Sequence, residues 1–234
     1  MNLILLFPDD FVDAHRVRLS GRRLEHVRSV HRAAVGDSLV VGLVNGSIGR
    51  GVVTSLSDTL ELSVSLSDDP PAPLPLTLVL ALPRPKVLHR VIAGATSLGV
   101  KRICLLNAWR VEKSYWKSPR LSAANLLLQS TLGLEQARDT VLPTITLHRL
   151  FRPFVEDELP ALASGSLALV PHPTAASECP RAVDRPVTLV IGPEGGFIDM
   201  EIASLTRAGF TPVTLGARIL RVETAVGAVV GRLF

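Results

Sequence analysis

The chain has 234 residues, 47% of them hydrophobic and 20% charged, which excludes a disordered segment and leaves one large domain or two small ones. No uninterrupted apolar run reaches the ~18 residues that cross a bilayer, and the apolar start from Leu3 to Phe7 has no basic flank, so no membrane partner, no signal peptide and a cytoplasmic location are expected. Cys104 and Cys179 are too few for a disulfide framework or a cysteine-rich zinc site, and a net charge of +4 at a pI of about 9.6 hides an uneven distribution.

The first basic stretch, His15 to Arg32, carries six arginines and three histidines against Glu25 alone. A short helix is expected near Arg22 to Val30. Runs rich in Val, Leu and Ile follow at Ser38 to Val44, Ser47 to Ser55 and Thr59 to Ser65, with Asn45-Gly46 as a hairpin turn, which predicts a small β-barrel. Between Asp68 and Pro75, four prolines in six residues can supply neither ladder donors nor a helix interior, so a linker separates a domain over 1–72 from one over 73–234.

Beyond it, strands are expected at Leu76 to Leu82, Arg102 to Leu106, Leu167 to Val170, Val187 to Ile191 and Pro212 to Leu215. Helices are expected up to Leu98, from Ser118 to Gln136, from Asp199 to Ala208 and from Glu223 to Leu233. Apolar strands without polar alternation, interleaved with helices, predict an α/β domain with a parallel sheet. A second basic stretch, Arg84 to Arg120, holds nine Lys or Arg against Glu112. Two basic surfaces point to a polyanion, and nucleic acid is favoured over solvated helix faces.

Two segments concentrate chemistry. Val187 to Phe197 runs a buried strand into Gly192-Pro193-Glu194-Gly195-Gly196-Phe197, with Asp199 as a candidate helix cap. Its spacing fits neither a dinucleotide fingerprint nor a P-loop, and a tight strand-to-helix turn is the plain alternative. Leu215 to Ala225 places Arg218, Arg221, Glu223 and Thr224 between a strand and the last helix, where Thr224 or Glu223 could simply cap. Both follow strand ends, where ligands of open α/β sheets bind, so they can line one crevice.

The pair Gly192-Pro193-Glu194-Gly195-Gly196-Phe197 and Leu215-Gly216-x-Arg218-Ile219-Leu220-Arg221-x-Glu223-Thr224-Ala225 resembles the ribosomal small-subunit methyltransferase E family, uridine-N3 methyltransferases of the SPOUT class. His26-Val27-Arg28-Ser29-Val30-His31-Arg32 with Gly36-Asp37 is similar to that family's N-terminal signature, with His31 in place of leucine. Ala93 to Val100 lacks the family's lysine and glutamate, and Arg138 stands one position early. The resemblance implies a PUA-like RNA-binding barrel, a SPOUT-type α/β domain with a C-terminal trefoil knot, S-adenosylmethionine as cofactor and 16S ribosomal RNA of the small subunit as substrate. It further implies cofactor contacts from Leu169, His172, Gly192, Glu194, Gly195, Gly196, Leu215, Gly216, Leu220, Thr224 and Ala225, and RNA contacts from Arg16, Arg18, Arg28, Arg32 and Arg110. A non-catalytic RNA-binding assembly factor, or a SPOUT enzyme acting on another RNA, are the alternatives.

Methylation at uracil N3 removes an imide proton while negative charge develops over O2, N3 and O4, so cations aimed there lower the barrier. Arg218 and Arg221 are the candidates, against the simpler reading of ion pairs with Glu223 or Glu194. Glu223 or Glu194 could receive the proton. No metal ligand set appears. Gly227 and Gly231, one turn apart in the last helix, permit close helix approach; packing within the chain would explain them, and the resemblance implies a homodimer instead.

Overall fold

The computed structural model describes residues 2–234. Two compact units are distinguished, one formed by the chain up to Ala72 together with Ser130–Leu142, the other by Pro73–Gln129 and Pro143–Phe234.

In the first unit, β1 (Ile4–Leu6), β2 (Phe11–Asp13), β3 (Arg16–Leu19), β4 (Ser38–Leu43), β5 (Ile48–Leu56) and β6 (Leu60–Asp68) form a six-stranded sheet in the order β1-β4-β5-β6-β3-β2. Only the β1–β4 pair is parallel. The apolar start of the chain is a strand covered on both faces: Ile4 and Leu6 join Val17, Leu19 and Leu62 in one cluster, whereas Leu3 and Leu5 pack with Leu134 in another. This alternation follows from the two-residue period of a strand.

The second cluster explains why Ser130–Leu142, assigned by sequence to the 73–234 domain, groups with the first unit. Glu135 is 1% exposed, its carboxylate accepts from both guanidinium nitrogens of Arg22 at 2.8 and 3.0 Å, and its carbonyl accepts from the amides of Asn2 and Leu3. Asn45 holds the expected hairpin turn with φ of 56°. The helix expected to reach Val30 is α1 (Gly21–His26), which widens into a π-helical turn over Val27–His31 and stops at Arg32 with φ of 52°.

In the second unit, β7 (Leu74–Ala81), α2 (Pro85–Ser97), β8 (Val100–Leu106), the first half of α3 (Ala123–Ala137, which from Ser130 on belongs to the first unit) and β9 (Thr144–His148) precede a broken helix made of α4 (Phe151–Pro153), a π-helical turn and α5 (Leu159–Leu162). Then come β10 (Leu167–Pro171), β11 (Ser177–Glu178), β12 (Val187–Ile191), α6 (Asp199–Arg207), β13 (Thr211–Thr214) and α7 (Val222–Leu233). The seven strands lie in the order β11-β13-β10-β12-β7-β8-β9, and every pair is parallel. Parallel strands need coverage on both faces, which is why β12 is buried at all five positions.

Three elements depart from expectation. Pro75 lies inside β7 rather than in the linker, tolerated because the register toward β8 shifts between Leu74 and Thr77. The helix expected from Ser118 begins at Ala123, after 3-10 turns over Lys113–Lys117 and Pro119–Leu121. Asp199 is not the cap of α6: it is the first helical residue, the cap position is Ile198, and the carboxylate of Glu201 accepts the Ile198 amide at 3.1 Å. Among the described residues no helix is long and apolar enough to cross a membrane, and no group of three or more His, Cys, Asp or Glu is placed to hold a metal ion.

Candidate active site

Three neighbouring parallel strands, β12, β10 and β13, carry their carboxyl ends to one edge of the second unit. The segments leaving them, Pro171 to Thr174, Ile191 to Phe197 and Thr214 to Val222, surround a cavity of about 330 Å³. That is the low end of the range for small-molecule sites.

The glycines have distinct reasons. At Gly192 a Cβ would stand 3.2 Å from the Phe197 ring and 3.3 Å from its amide, so the loop folds back on itself only without a side chain. At Gly195 a Cβ would meet Cδ of Arg110 at 2.9 Å, because that side chain lies over the loop and donates to the Gly195 carbonyl. Gly196 has φ of +71° and open space where a Cβ would stand; backbone conformation, not crowding, requires glycine there. Gly216, at φ of +111°, donates its amide to Thr214 Oγ1 at 3.1 Å.

Of the residues expected at the cofactor, His172, Gly192, Glu194, Gly195, Gly196, Leu215, Gly216, Leu220 and Ala225 line the cavity. Leu169 does not: it is buried within β10, while Thr224 is exposed on the first turn of α7. The His172 ring is held by Thr174, 3.0 Å from Nδ1. Glu194 accepts the Arg84 amide at 2.9 Å, which satisfies the start of α2.

The two arginines part company. Arg218 lines the cavity, whereas Arg221 occupies the cap position of α7 outside the lining. Neither forms the ion pair with Glu223 or Glu194 that was the simpler reading; Glu223 pairs instead with Arg90 at 3.2 Å. Capping of α7 by Thr224 or Glu223 is also not what forms.

Arg110, expected at RNA, stands among the lining residues. The other arginines expected at RNA belong to the first unit. Arg16 pairs with Asp13 at 2.6 Å and Arg18 with Glu61 at 2.9 Å, and Arg28 donates to the Ser57 carbonyl. The amide of His15, foremost, and the Arg16 guanidinium hold the Asp13 carboxyl below its ordinary range. Arg32 is exposed and forms no ion pair among the described residues.

Sequence reasoning missed Glu201 and Trp109. Glu201 is 6% exposed; besides the Ile198 amide its carboxylate accepts the Trp109 amide at 2.7 Å. One buried side chain thus ties the loop after β12 to the loop after β8. The cap on Ile198 has a spacing a sequence can show; the bond to a residue 92 positions away does not.

Residues 70–233 match the family model described as an RNA methyltransferase domain. The chain is similar to the ribosomal RNA small subunit methyltransferase E of Treponema pallidum, 30% identical over 97% of this chain and 88% of that one. It is likewise similar to the protein of that name from Mycobacterium bovis, 31% identical over 99% of this chain and 91% of that one. Its fold is that of a ribosomal RNA small subunit methyltransferase E from Neisseria gonorrhoeae solved bound to S-adenosyl methionine, with a TM-score of 0.75 at 22% identity, covering 98% of this chain and 95% of that one.

Proposed function

Because this chain belongs to the ribosomal RNA small subunit methyltransferase E family of RNA methyltransferases, we propose that it methylates N3 of a uridine in 16S ribosomal RNA with S-adenosylmethionine as donor. The observation that carries this reading is the convergence of three parallel strand ends on one cavity whose wall is largely glycine backbone and apolar side chain. Such a wall fits an adenosyl group: backbone amides and carbonyls reach a base and ribose closely where no Cβ intervenes, and Ile191, Leu215 and Leu220 supply apolar contact.

When bound, S-adenosylmethionine supplies an electrophilic methyl group. The chain's own contribution is to hold charge and a proton. Arg218, lining the cavity without a carboxylate partner among the described residues, stabilises the negative charge that develops on the uracil oxygens. Glu194, which lines the cavity whereas Glu223 stands outside the lining and pairs with Arg90, receives the imide proton. Arg221 and Arg32 are left for phosphate.

In the same reading the first unit is a PUA-like RNA-binding barrel, α7 ends a trefoil knot, and the working form is a cytoplasmic homodimer. In support of the knot, Val183 donates to the Leu233 carbonyl at 2.7 Å and Arg232 to the Cys179 carbonyl at 2.6 Å, so the segment between β11 and β12 lies across the end of α7. In support of the dimer, Gly227 and Gly231 are exposed on α7 with open space where each Cβ would stand.

The test is incorporation of labelled methyl from S-adenosylmethionine into small subunits purified from cells lacking the gene, with the product nucleoside identified. Methylation at uridine N3 of 16S RNA is expected. Cofactor binding without transfer to that RNA would overturn the reading in favour of an assembly factor, and transfer to another RNA would overturn the substrate.

A further inference from the structure

The turn Ala108 to Val111 presents one aromatic side chain in a way the fold does not use. Its ends are anchored, with Ala108 at 3% and Val111 at 6% exposure and the Val111 amide donating to the Ala108 carbonyl at 3.0 Å. The two residues at its tip therefore protrude. Arg110 turns onto the Gly195 carbonyl at the cavity wall, while Trp109 stands 78% exposed on a backbone whose amide is fixed by buried Glu201.

Trp116, in the same connection, shows what a satisfied tryptophan looks like here: its Nε1 donates to Asn107 at 2.9 Å and the Arg149 guanidinium lies 5.0 Å from its ring centre. The Trp109 indole has neither contact among the described residues. An exposed indole on a rigid backbone offers a flat π-face at little entropic cost on binding.

Resting on the methyltransferase reading, we propose that Trp109 is a stacking platform for an unpaired nucleobase of the RNA substrate beside the reacting uridine. The charge around it favours this occupant over an apolar protein face: exposed Arg110, Lys113 and Lys117 share the connection with a single acid, Glu112, and cations would hold the phosphates on either side of a stacked base. Stacking is read through the π-face of any base, so the platform adds affinity and register without sequence selectivity.

Three full-length proteins decide it: wild type, Trp109→Phe and Trp109→Ala. The alanine variant is expected to raise KM for unmethylated small subunits by about 5- to 150-fold, with kcat changed much less, phenylalanine close to wild type and S-adenosylmethionine affinity unaltered in both. Oligouridylate should quench wild-type tryptophan fluorescence, and the quench should vanish in Trp109→Phe. This binding arm reads the platform even if the wild type methylates no small subunit, an outcome that counts against the functional reading alone. An unchanged KM for Trp109→Ala, or a quench that survives in Trp109→Phe, overturns the platform. So does a dimer that dissociates on the alanine change, which would make the indole an interface residue.

Discussion

Removing the Glu201 carboxylate should loosen two connected loops and leave the sheet intact. Its oxygens accept the amides of Trp109 and Ile198. A partly buried donor left without an acceptor costs about 1–3 kcal/mol, so Glu201→Ala should cost about 2–6 kcal/mol locally. Glu201→Gln keeps the shape and one acceptor oxygen, and should cost about 1–3 kcal/mol. Amide hydrogen exchange reads the effect residue by residue: about 1–3 kcal/mol at each amide corresponds to about a 5- to 150-fold loss of protection. S-adenosylmethionine affinity, measured by calorimetry, should fall in the order wild type, Gln, Ala, because the Ile198 end closes the glycine loop. If both amides keep their protection in a folded Glu201→Ala protein, the carboxylate does not hold these loops. If protection falls equally across β7 and β12, the loss is global and the local argument fails.

The arginines of the first unit should differ in their worth to RNA binding. Arg32→Ala should flatten the plot of log affinity against log salt by about 0.7–0.9 unit, whereas Arg16→Ala should change it less, since Asp13 already neutralises that cation; equal slopes would refute the distinction. Gly231→Leu should shift sedimentation toward the monomer and abolish methylation, and an active monomer would sink the dimer. Burial, with His31 and Arg22 adding like charge, holds the His26 imidazole below its ordinary range, and its Nε2 has no hydrogen-bond partner among the described residues. The unfolded chain therefore binds more protons as acidity passes about pH 6.5, and stability is lost as pH falls below that value. The apparent Tm should drop on moving from about pH 7.5 to about pH 5.5, and by less in His26→Gln; an equal drop would exclude His26 as a source.

What could be read from the sequence followed burial. Val187–Ile191 was legible to the residue because a strand covered on both faces is apolar throughout. Thr144–His148 was not, since an edge strand with threonines in alternation resembles a loop, and Ile4–Leu6 is too short to show a period. At the site, glycine and charge after strand ends marked the cavity, and the residues so marked mostly line it. Arg221 and Thr224 carry the same local signal as Arg218, but the first turn of α7 rotates them away from the lining. The work of Glu201 was illegible because the groups it holds are backbone amides, which every residue offers alike.

The discontinuity of the first unit bears on how the protein is made. Leu3 and Leu5 wait for Leu134, and the Leu5 amide for a carboxylate 130 residues later. A nascent chain that has just passed Ala72 lacks the piece that closes one face of its sheet. At about 5–20 residues per second, the 70 residues from Pro73 to Leu142 delay that closure by about 4–14 s. During that interval β7, α2 and β8 leave the ribosome and can begin to pair, so the unit that starts first is finished only after the other is under way. Excising the first 72 residues as a separate fragment would accordingly yield an open apolar face rather than a small soluble domain.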